Sequence, residues 1–586
     1  MKLIWSYMKP YKWQVLFILI VKFLGTVVQL LIPYVLEHMI DNVAPAGNKA
    51  AILLWGLLMA VLALLSRELN VIPNRKSSNI AGSAAYALRE DLFRRTVNLS
   101  GSQVDSFGLP SLTSRMTSDS YNVQNFIRFI QSLGIRAPIL LLGGIVITLT
   151  MDPGLAAILC VIAPVMVAAV IAISRKGIPL YDTVQEKMDN VVRVMRENIT
   201  GIRVVKALSK ESHERKRFGE ENREMTRAEQ HAGAMMALPG PLMSLGLNLG
   251  LTLVVLVGAR RVNNGVTQPG VILAFLTYFN MILMGVLGLN RLFIMMSKAN
   301  ASANRIAAVL AEEEELTQLP LSESSPAPSD DYLIFDHVSF RYGKDRADAG
   351  SEAFAGGKRQ HMLEDLSFSM KKGSSLGIIG PTGCGKTTIV NLLMRFYDPV
   401  EGRIYLDGKD VRCYDLRELR CKFGSVFQNG TVFADTLREN IAFGRDVSEE
   451  DILRAAEDGC AAEFIAGYED GLDYRTAIRG SDLSGGQRQR ILIARALAAK
   501  PELLILDDAS SALDYRTDAA LRKAIRERYA DTTTIMIAQR ISSIMNLDEI
   551  IVMDEGRILG RGSHEELLRS CPAYRDIYEV QMGEAR

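Results

Sequence analysis

The chain has 586 residues, of which 48% are hydrophobic and 23% charged, and its formal net charge is +1. This length exceeds one ordinary hydrophobic core, so at least two domains are expected. The balanced charge gives no electrostatic case for nucleic acid as the main partner. The six cysteines show neither paired nor metal-ligand spacing, which is typical of a protein in a reducing compartment.

Six apolar stretches fill the first half of the chain, each near the roughly 20 residues that cross a bilayer core. By the positive-inside rule, the basic N-terminus and two long polar connections lie in the cytoplasm, although Arg260 and Arg261 violate the rule mildly. We expect an all-α polytopic membrane domain over residues 1–311, with the lipid bilayer as a partner. Two cytoplasmic loops, near residues 104–112 and 181–213, are expected to contact the second half. The predicted spans are residues 13–40, 51–69, 132–150, 154–173, 236–257 and 271–296.

The second half begins after a polar segment. Residues 312–331 are rich in Glu, Ser and Pro and are predicted to form a linker. Strand and helix patterns then alternate, which indicates an α/β domain over residues 332–586. Residues 343–360 are rich in Gly, Ala and charge, and we expect a disordered surface loop there.

A phosphate-binding loop of the form G-x-x-x-x-G-K-T follows a short apolar run and precedes a helical pattern, as that motif requires. Glycines let backbone N–H groups approach phosphates, and the start of the following helix favours negative charge. Lys386 is predicted to reach the β- and γ-phosphates, and the Thr387 hydroxyl to bind Mg²⁺. Cys384 is either a reactive thiol or, as we favour, a small residue that fits the loop. The predicted nucleotide-binding residues here are Gly380, Pro381, Thr382, Gly383, Cys384, Gly385, Lys386, Thr387 and Thr388.

Two further motifs follow the phosphate loop. Leu503 to Leu506 form an aliphatic run that ends in Asp507 and Asp508. A buried strand rarely ends in two carboxylates without a cation, so Asp507 is predicted to be a magnesium ligand. Before this run stands the sequence Leu483-Ser484-Gly485-Gly486-Gln487.

With these motifs in this order, the chain resembles ATP-binding cassette (ABC) transporters, specifically exporter half-transporters that join six membrane helices to one cassette. The fold that this implies is an all-α membrane domain plus an α/β P-loop ATPase domain, with ATP and Mg²⁺ as cofactors. The resemblance implies that Tyr342 stacks on adenine and that Gln428 contacts Mg²⁺. A strand aromatic over the core and an ordinary turn residue remain the alternatives for these two. The family signature, which clamps a nucleotide held by another subunit, is formed by Ser484, Gly485, Gly486 and Gln487.

Two departures from the family concern the chain's own ATP site. Asp508 stands where a glutamate polarises the attacking water, and Gln539 stands where a histidine contacts the γ-phosphate. Aspartate is one methylene shorter, and a misplacement of about 1 Å can cost on the order of 10²-fold in rate. Glutamine cannot exchange a proton near neutral pH. We therefore expect a slow site, and a second, different half-transporter whose competent site uses this chain's signature. Ordinary turnover at this site is the alternative.

The cargo is only weakly indicated. Lys22 lies near the centre of the first span, and Arg136 and Arg291 lie within or beside others. Charges at membrane depth are candidates for a transport cavity, although snorkelling is the alternative for the two arginines. We expect export of amphipathic drugs or lipids across the cell membrane. A homodimeric lipid flippase and an ATP-gated regulatory or channel-like protein remain open.

Overall fold

The computed structural model describes residues 1–313, 315–320, 322, 326–342 and 362–583. The chain forms two compact units. The first comprises Met1–Val97 and Pro110–Glu312, and the second comprises Asn98–Leu109 and Glu313–Arg586. The loop predicted at residues 343–360 lies outside the described residues.

The N-terminal half is helical throughout. Six stretches are long and apolar enough to cross a membrane, which confirms the six predicted spans: Lys2–Val43, Lys49–Val97, Leu109–Met151, Pro153–Thr200, Glu211–Asn263 and Pro269–Leu310. Several helices run far past the apolar stretch they contain, because polar sequence of helical period continues them. The helices are α1 (Lys2–Met8), α2 (Lys12–His38), α3 (Lys49–Val97), α4 (Gly101–Phe107), α5 (Leu109–Ser114), α6 (Ser120–Met151), α7 (Pro153–Thr200), α8 (Ile202–Ala207), α9 (Glu211–Ala237), α10 (Pro239–Asn263) and α11 (Pro269–Leu310).

The turn between α6 and α7 explains how one basic residue is tolerated on the far side of the membrane. Asp152 caps α7, since its Oδ1 accepts hydrogen bonds from the backbone N–H groups of Gly154 (2.8 Å) and Leu155 (3.1 Å). Its Oδ2 accepts from Arg261 Nε at 3.1 Å. The charge of Arg261, a mild violation of the positive-inside rule, is thus paired with a buried carboxylate.

Small residues let α6 and α11 approach closely. A Cβ added to Gly285 would lie 2.9 Å from the Ala137 carbonyl oxygen, and one added to Gly288 would lie 3.0 Å from the Ala137 Cβ. Apolar lipid gives no hydrophobic drive for helix association, so close van der Waals packing of this kind holds membrane helices together.

The second unit contains two sheets. One is an antiparallel four-stranded sheet in the order β2-β1-β4-β5; the other has six strands in the order β10-β9-β3-β8-β7-β6. In the larger sheet β9, β3, β8, β7 and β6 run parallel and β10 is antiparallel, which confirms the predicted α/β class. The strands are β1 (Leu333–Phe340), β2 (Leu363–Met370), β3 (Ser375–Ile379), β4 (Glu401–Leu406), β5 (Lys409–Asp410), β6 (Phe423–Val426), β7 (Leu503–Asp507), β8 (Thr533–Ile537), β9 (Glu549–Asp554) and β10 (Arg557–Gly562).

Helices flank these sheets and complete two buried clusters of apolar side chains. The two longest of these helices begin after Ser484 and after Asp514. The helices are α12 (Lys386–Leu393), α13 (Leu416–Cys421), α14 (Leu437–Ala442), α15 (Glu449–Asp458), α16 (Ala462–Ile465), α17 (Gly485–Leu497), α18 (Tyr515–Arg528), α19 (Ile541–Ile544), α20 (His564–Ser570) and α21 (Pro572–Met582).

The short helix α4 belongs to the second unit although it comes early in the chain. Ser100 caps it, and the Gly101 N–H donates to the Phe396 carbonyl at 3.2 Å. The Tyr397 hydroxyl donates to Asp105 Oδ2 at 2.7 Å. A Cβ on Gly101 would lie 2.7 Å from the Tyr397 ring, so glycine is needed for this approach. These contacts agree with the expectation that a loop near residue 104 contacts the second half of the chain.

Part of the predicted linker lies fixed along the second unit. The Thr317 carbonyl accepts from Arg395 Nη2 at 2.7 Å, and the Leu319 N–H donates to the Arg412 carbonyl at 2.9 Å. Arg395 is 1% exposed, and its Nε also donates to Asp398 at 2.9 Å. The linker bounds of 312–331 stay a prediction, but residues 317–319 are ordered by hydrogen bonds.

Candidate functional site

The glycine-rich loop connects β3 to α12, as its motif predicts. Gly385 caps α12 with a φ of +100°, and Gly383 has a φ of +89°, both in the left-handed region that favours glycine. A Cβ on Gly385 would also lie 2.6 Å from the Leu363 side chain. Lys386 Nζ donates to the carbonyl oxygens of Gly380 (2.8 Å) and Pro381 (2.7 Å), so its ammonium lies over the loop.

A single cleft brings together the predicted residues of several motifs. Parallel strands β3, β7 and β8 are neighbours, and their carboxyl ends meet at one edge of the sheet, where ligands of open α/β sheets bind. The loop after each of these strands therefore contributes side chains to the same space. The predicted residues that line it are Thr382, Gly383, Gly385, Lys386, Thr387, Thr388, Gln428, Asp507, Asp508 and Gln539.

Asp507 ends β7 at the bottom of this cleft. Burial, together with the charge of Asp508, raises the pKa of Asp507 above its usual range, against the hydrogen bond from Thr387 and the charge of Lys386. The residue is 2% exposed, and among the described residues its Oδ2 has no hydrogen-bond partner. A buried carboxylate oxygen left open in this way suits a hard cation such as Mg²⁺.

The carboxylate of Asp508 is held by two amides. Its Oδ2 accepts from Gln539 Nε2 at 3.0 Å and from Gln428 Nε2 at 3.4 Å. The backbone has a φ of +53°, and the Asp508 N–H donates to the Ile537 carbonyl at 3.0 Å. Burial raises the pKa of Asp508, while the hydrogen bond from Gln428 and the charges of Lys386 and Arg540 act against it. Asp508 and Gln539, the two predicted departures at this ATP site, are thus in direct contact.

The loop that carries Gln539 is clamped by the C-terminal helix. Gln581 on α21 donates from Nε2 to the Gln539 carbonyl at 2.7 Å, and its Oε1 accepts from the Ile541 N–H at 2.8 Å. Both ends of the short loop are therefore fixed by one side chain. Sequence reasoning missed Gln581, because a lone glutamine 42 residues away carries no local signal.

Comparison with known proteins assigns the family. The ABC transporter transmembrane region matches residues 15–287, and the ABC transporter model matches residues 363–511. The uncharacterized ABC transporter ATP-binding protein YfiB of Bacillus subtilis is 34% identical over 99% of this chain and 98% of its own. This chain belongs to the ABC transporter family.

Two further similarities support the same assignment. The uncharacterized ABC transporter ATP-binding protein YknU of Bacillus subtilis is 31% identical over 99% of this chain and 97% of its own. The structure of a bacterial Atm1-family ABC exporter with ATP bound matches with a TM-score of 0.77 and 26% identity, over 99% of both chains. The chain is therefore an ABC exporter half-transporter, a multi-pass membrane protein with a cytoplasmic ATPase domain.

Tyr342 of the cassette lies beside the phosphate-loop helix and does not line the cleft described above. Its ring meets Phe340 and Tyr397 edge-on, with centroids 4.9 and 5.2 Å away. Its hydroxyl is 3.2 Å from Thr388 Oγ1, and the residue is 39% exposed. An aromatic ring with an exposed part and a fixed hydroxyl suits stacking on a base, and its role at adenine stays a prediction.

The signature residues form the start of α17 and do not line this cleft. Ser484 Oγ accepts from the Gln487 N–H at 3.2 Å, while Gln487 Oε1 accepts from the Ser484 N–H at 2.8 Å, a capping box. Nothing lies within 4 Å of a Cβ built on Gly485. The structure thus separates Ser484, Gly485, Gly486 and Gln487 from the chain's own phosphate loop.

Cys384 is buried within the phosphate loop. It is 4% exposed, and burial raises the pKa of its thiol, against the opposing charge of Lys386. Less thiolate forms at neutral pH, and the sulfur is hard to reach. The favoured interpretation of Cys384 as a small residue that fits the loop agrees with this environment.

Proposed function

We propose that this ABC exporter chain is one half of a heterodimer that exports amphipathic small molecules, and that its own ATP site is the slow one. The single observation that carries the proposal is the pairing of Asp508 with Gln539 in the nucleotide cleft, at 3.0 Å. An aspartate and a glutamine occupy the positions where the resemblance implies a glutamate and a histidine.

The cleft suits the binding of MgATP. Lys386 and the backbone N–H groups of the glycine loop would hold the β- and γ-phosphates, because the loop lies at the start of α12. Thr387, Asp507 and Gln428 would supply oxygen ligands to Mg²⁺, and the open Asp507 Oδ2 is the strongest sign of this. Bound Mg²⁺ would neutralise charge on the phosphate oxygens.

Hydrolysis is expected to be slow for two physical reasons. The carboxylate of Asp508 falls about 1 Å short of a glutamate's position, a displacement that costs on the order of 10²-fold. Losing a positioned acid–base group costs about 10²–10⁴-fold, and Gln539 cannot take up a proton near neutral pH. The two residues also hold each other, which keeps the carboxylate turned toward an amide.

The intact signature helix supports the proposed heterodimer. The capping box of Ser484 and Gln487 fixes the start of α17 away from the chain's own cleft. Such a helix start can bind the phosphates of a nucleotide held by another cassette. A pump needs at least one site that hydrolyses ATP fast. In a heterodimer, the intact signature of this chain would complete the fast site of its partner, although its own site is slow.

The test uses the full-length chain purified alone and reconstituted in lipid. We expect it to bind ATP with Mg²⁺ and to hydrolyse it slowly, while Asp508→Glu combined with Gln539→His raises turnover at least 100-fold. Lys386→Ala should abolish binding, and Asp508→Asn with Gln539→His is the matched control that should stay slow. Wild-type turnover equal to that of the double variant would refute the slow site.

The partner is tested separately. A tagged copy isolated gently from native membranes should bring down a second half-transporter of different sequence in equal amount, identified by mass spectrometry. Recovery of this chain alone, as a dimer with itself that transports, would refute the heterodimer.

A further inference from the structure

A polar cavity lies among three membrane helices of the first unit. It has a volume of about 330 Å³ and is lined by residues of α2, α3 and α6. Ligand sites typically have volumes of about 300–1,000 Å³, so this space is large enough for a polar headgroup. Helices α2, α3 and α6 pack against one another, which makes the cavity part of the folded membrane domain.

Three cations line this cavity. Lys22 comes from α2, while Arg128 and Arg136 come from α6. The two arginines are eight residues apart with Ser132 midway, so all three side chains share one face of α6. In the part of the chain that the structure describes, no carboxylate lines the cavity or forms an ion pair with these three cations.

The polar atoms of these residues are only partly satisfied. Lys22 is 1% exposed, and its Nζ donates to Asn74 Oδ1 at 2.9 Å. Arg136 reaches Gln29 Oε1 at 3.4 Å, and its buried Nε has no hydrogen-bond partner among the described residues. Neutral amides alone do not balance the charge of a lysine and an arginine at membrane depth. Uncompensated charge of this kind marks a functional site by default.

The three cations lie at increasing depths from the cytoplasmic face of the membrane. Taking the predicted start of the first span at residue 13 and a rise of 1.5 Å per residue, Lys22 lies about 14 Å into the roughly 30 Å bilayer core. Arg128 precedes the third predicted span and Arg136 lies about 6 Å inside it by the same measure. An anion arriving from the cytoplasmic side would meet Arg128 first and Lys22 last.

One wall of the cavity is apolar. Phe129 and Leu133 line it, and Phe129 lies beneath the guanidinium groups of both Arg128 and Arg291, each 5.1 Å from the ring centroid. Arg291, on α11, thus adds a fourth positive charge beside the same wall. A ligand that fits both parts has a negatively charged head and an apolar body.

We propose that this cavity binds the anionic headgroup of an amphiphile, a phosphate or a carboxylate, as part of the export pathway. Guanidinium groups form charge-assisted pairs with planar carboxylates and tetrahedral phosphates, and Lys22 supplies a point charge at the deepest position. The inference rests on the proposed amphipathic cargo and narrows it to anions. The headgroup could belong to a bilayer lipid or to a free amphiphile, and the two share this chemistry.

The test measures binding without ATP, so it is independent of the slow-site proposal. The full-length chain in phosphatidylcholine nanodiscs is titrated with radiolabelled decyl phosphate and with decyltrimethylammonium. We expect the anion to bind at least tenfold tighter than the cation. Lys22→Gln and Arg136→Gln should each weaken decyl phosphate binding at least tenfold. Arg128→Gln changes an exposed residue and serves as a third variant should the Lys22 and Arg136 variants fail to fold.

The matched control is Arg67→Gln, which removes an exposed positive charge from α3 outside the cavity and should leave binding unchanged. A second arm uses nanodiscs with spin-labelled phosphatidylglycerol. An immobilised lipid fraction that Lys22→Gln removes identifies a lipid headgroup, and its absence alongside decyl phosphate binding identifies a free amphiphile. Equal binding of anion and cation, or cavity variants that bind like wild type, would overturn the proposal.

Discussion

A substitution of Gly101 on α4 tests how residues 98–109 are held in the second unit. In Gly101→Ala the new Cβ would lie 2.7 Å from Tyr397 Cζ and 2.9 Å from its hydroxyl oxygen, closer than real contacts allow. The ring cannot shift freely, because its hydroxyl donates to Asp105 and the ring packs against Tyr342. Overpacking of this kind costs about 1–3 kcal/mol, which would fall on the docking of residues 98–109.

Hydrogen exchange followed by mass spectrometry measures this cost locally in the full-length chain. A loss of about 1–3 kcal/mol in the docking free energy of residues 98–109 raises the equilibrium constant for their local opening about 5- to 150-fold. The amides of α4 should therefore exchange faster by that factor. Tyr397→Leu added to Gly101→Ala should restore part of the protection. Gly219→Ala on α9, where nothing lies within 4 Å of the new Cβ, is the control that should leave α4 unchanged. Unaltered exchange of α4 in Gly101→Ala would refute the steric reasoning.

Three further outcomes are expected. Gln581→Ala should speed amide exchange in the loop that carries Gln539, whereas Gln581→Glu should preserve the bond from the Ile541 N–H; identical exchange in both variants would contradict the clamp. Because burial raises the pKa of Cys384, iodoacetamide should modify it at least tenfold more slowly than the exposed Cys421 at neutral pH. The rate of modification of Cys384 should rise only when the pH exceeds the usual pKa range of thiols. Modification of Cys384 as fast as that of Cys421 at neutral pH would refute this. Arg395→Met removes a buried guanidinium group that donates to the carbonyls of Thr317 and Arg412 and to Asp398. Losing these hydrogen bonds costs about 3 kcal/mol, so calorimetry should find the cassette melting about 6–12 °C lower, and an unchanged transition would contradict this network.

Features carried by neighbouring residues were predictable from the sequence. The six spans follow from apolar length alone, and the phosphate loop follows from glycines that stand next to Lys386. The cleft followed as well, because parallel strands bring Asp507 and Gln539 to the same edge whatever the details of packing. The slow turnover of the site and the unlike partner remain predictions.

Features that depend on distant pairs were not predictable. Gln581 fixes the loop after β8. Tyr397 contacts Gly101 and donates to Asp105, although 292 residues separate Tyr397 from Asp105 in the chain. Lys22 is recognisable in the sequence as a charge within a span, but no sequence pattern marks its hydrogen-bond partner Asn74 on the next helix. Only three-dimensional packing shows which polar groups meet, since periodicity describes one element at a time.

The placement of Asn98–Leu109 in the second unit has a consequence for biosynthesis. This segment leaves the ribosome roughly 200 residues before Glu313, where the rest of its unit begins. At synthesis rates of about 5–20 residues per second, α4 waits about 15–60 seconds for Phe396 and Tyr397, against which it packs. During that interval a nascent chain exposes an unfinished docking segment, and a cassette expressed from residue 313 onward would lack a piece of its own folding unit.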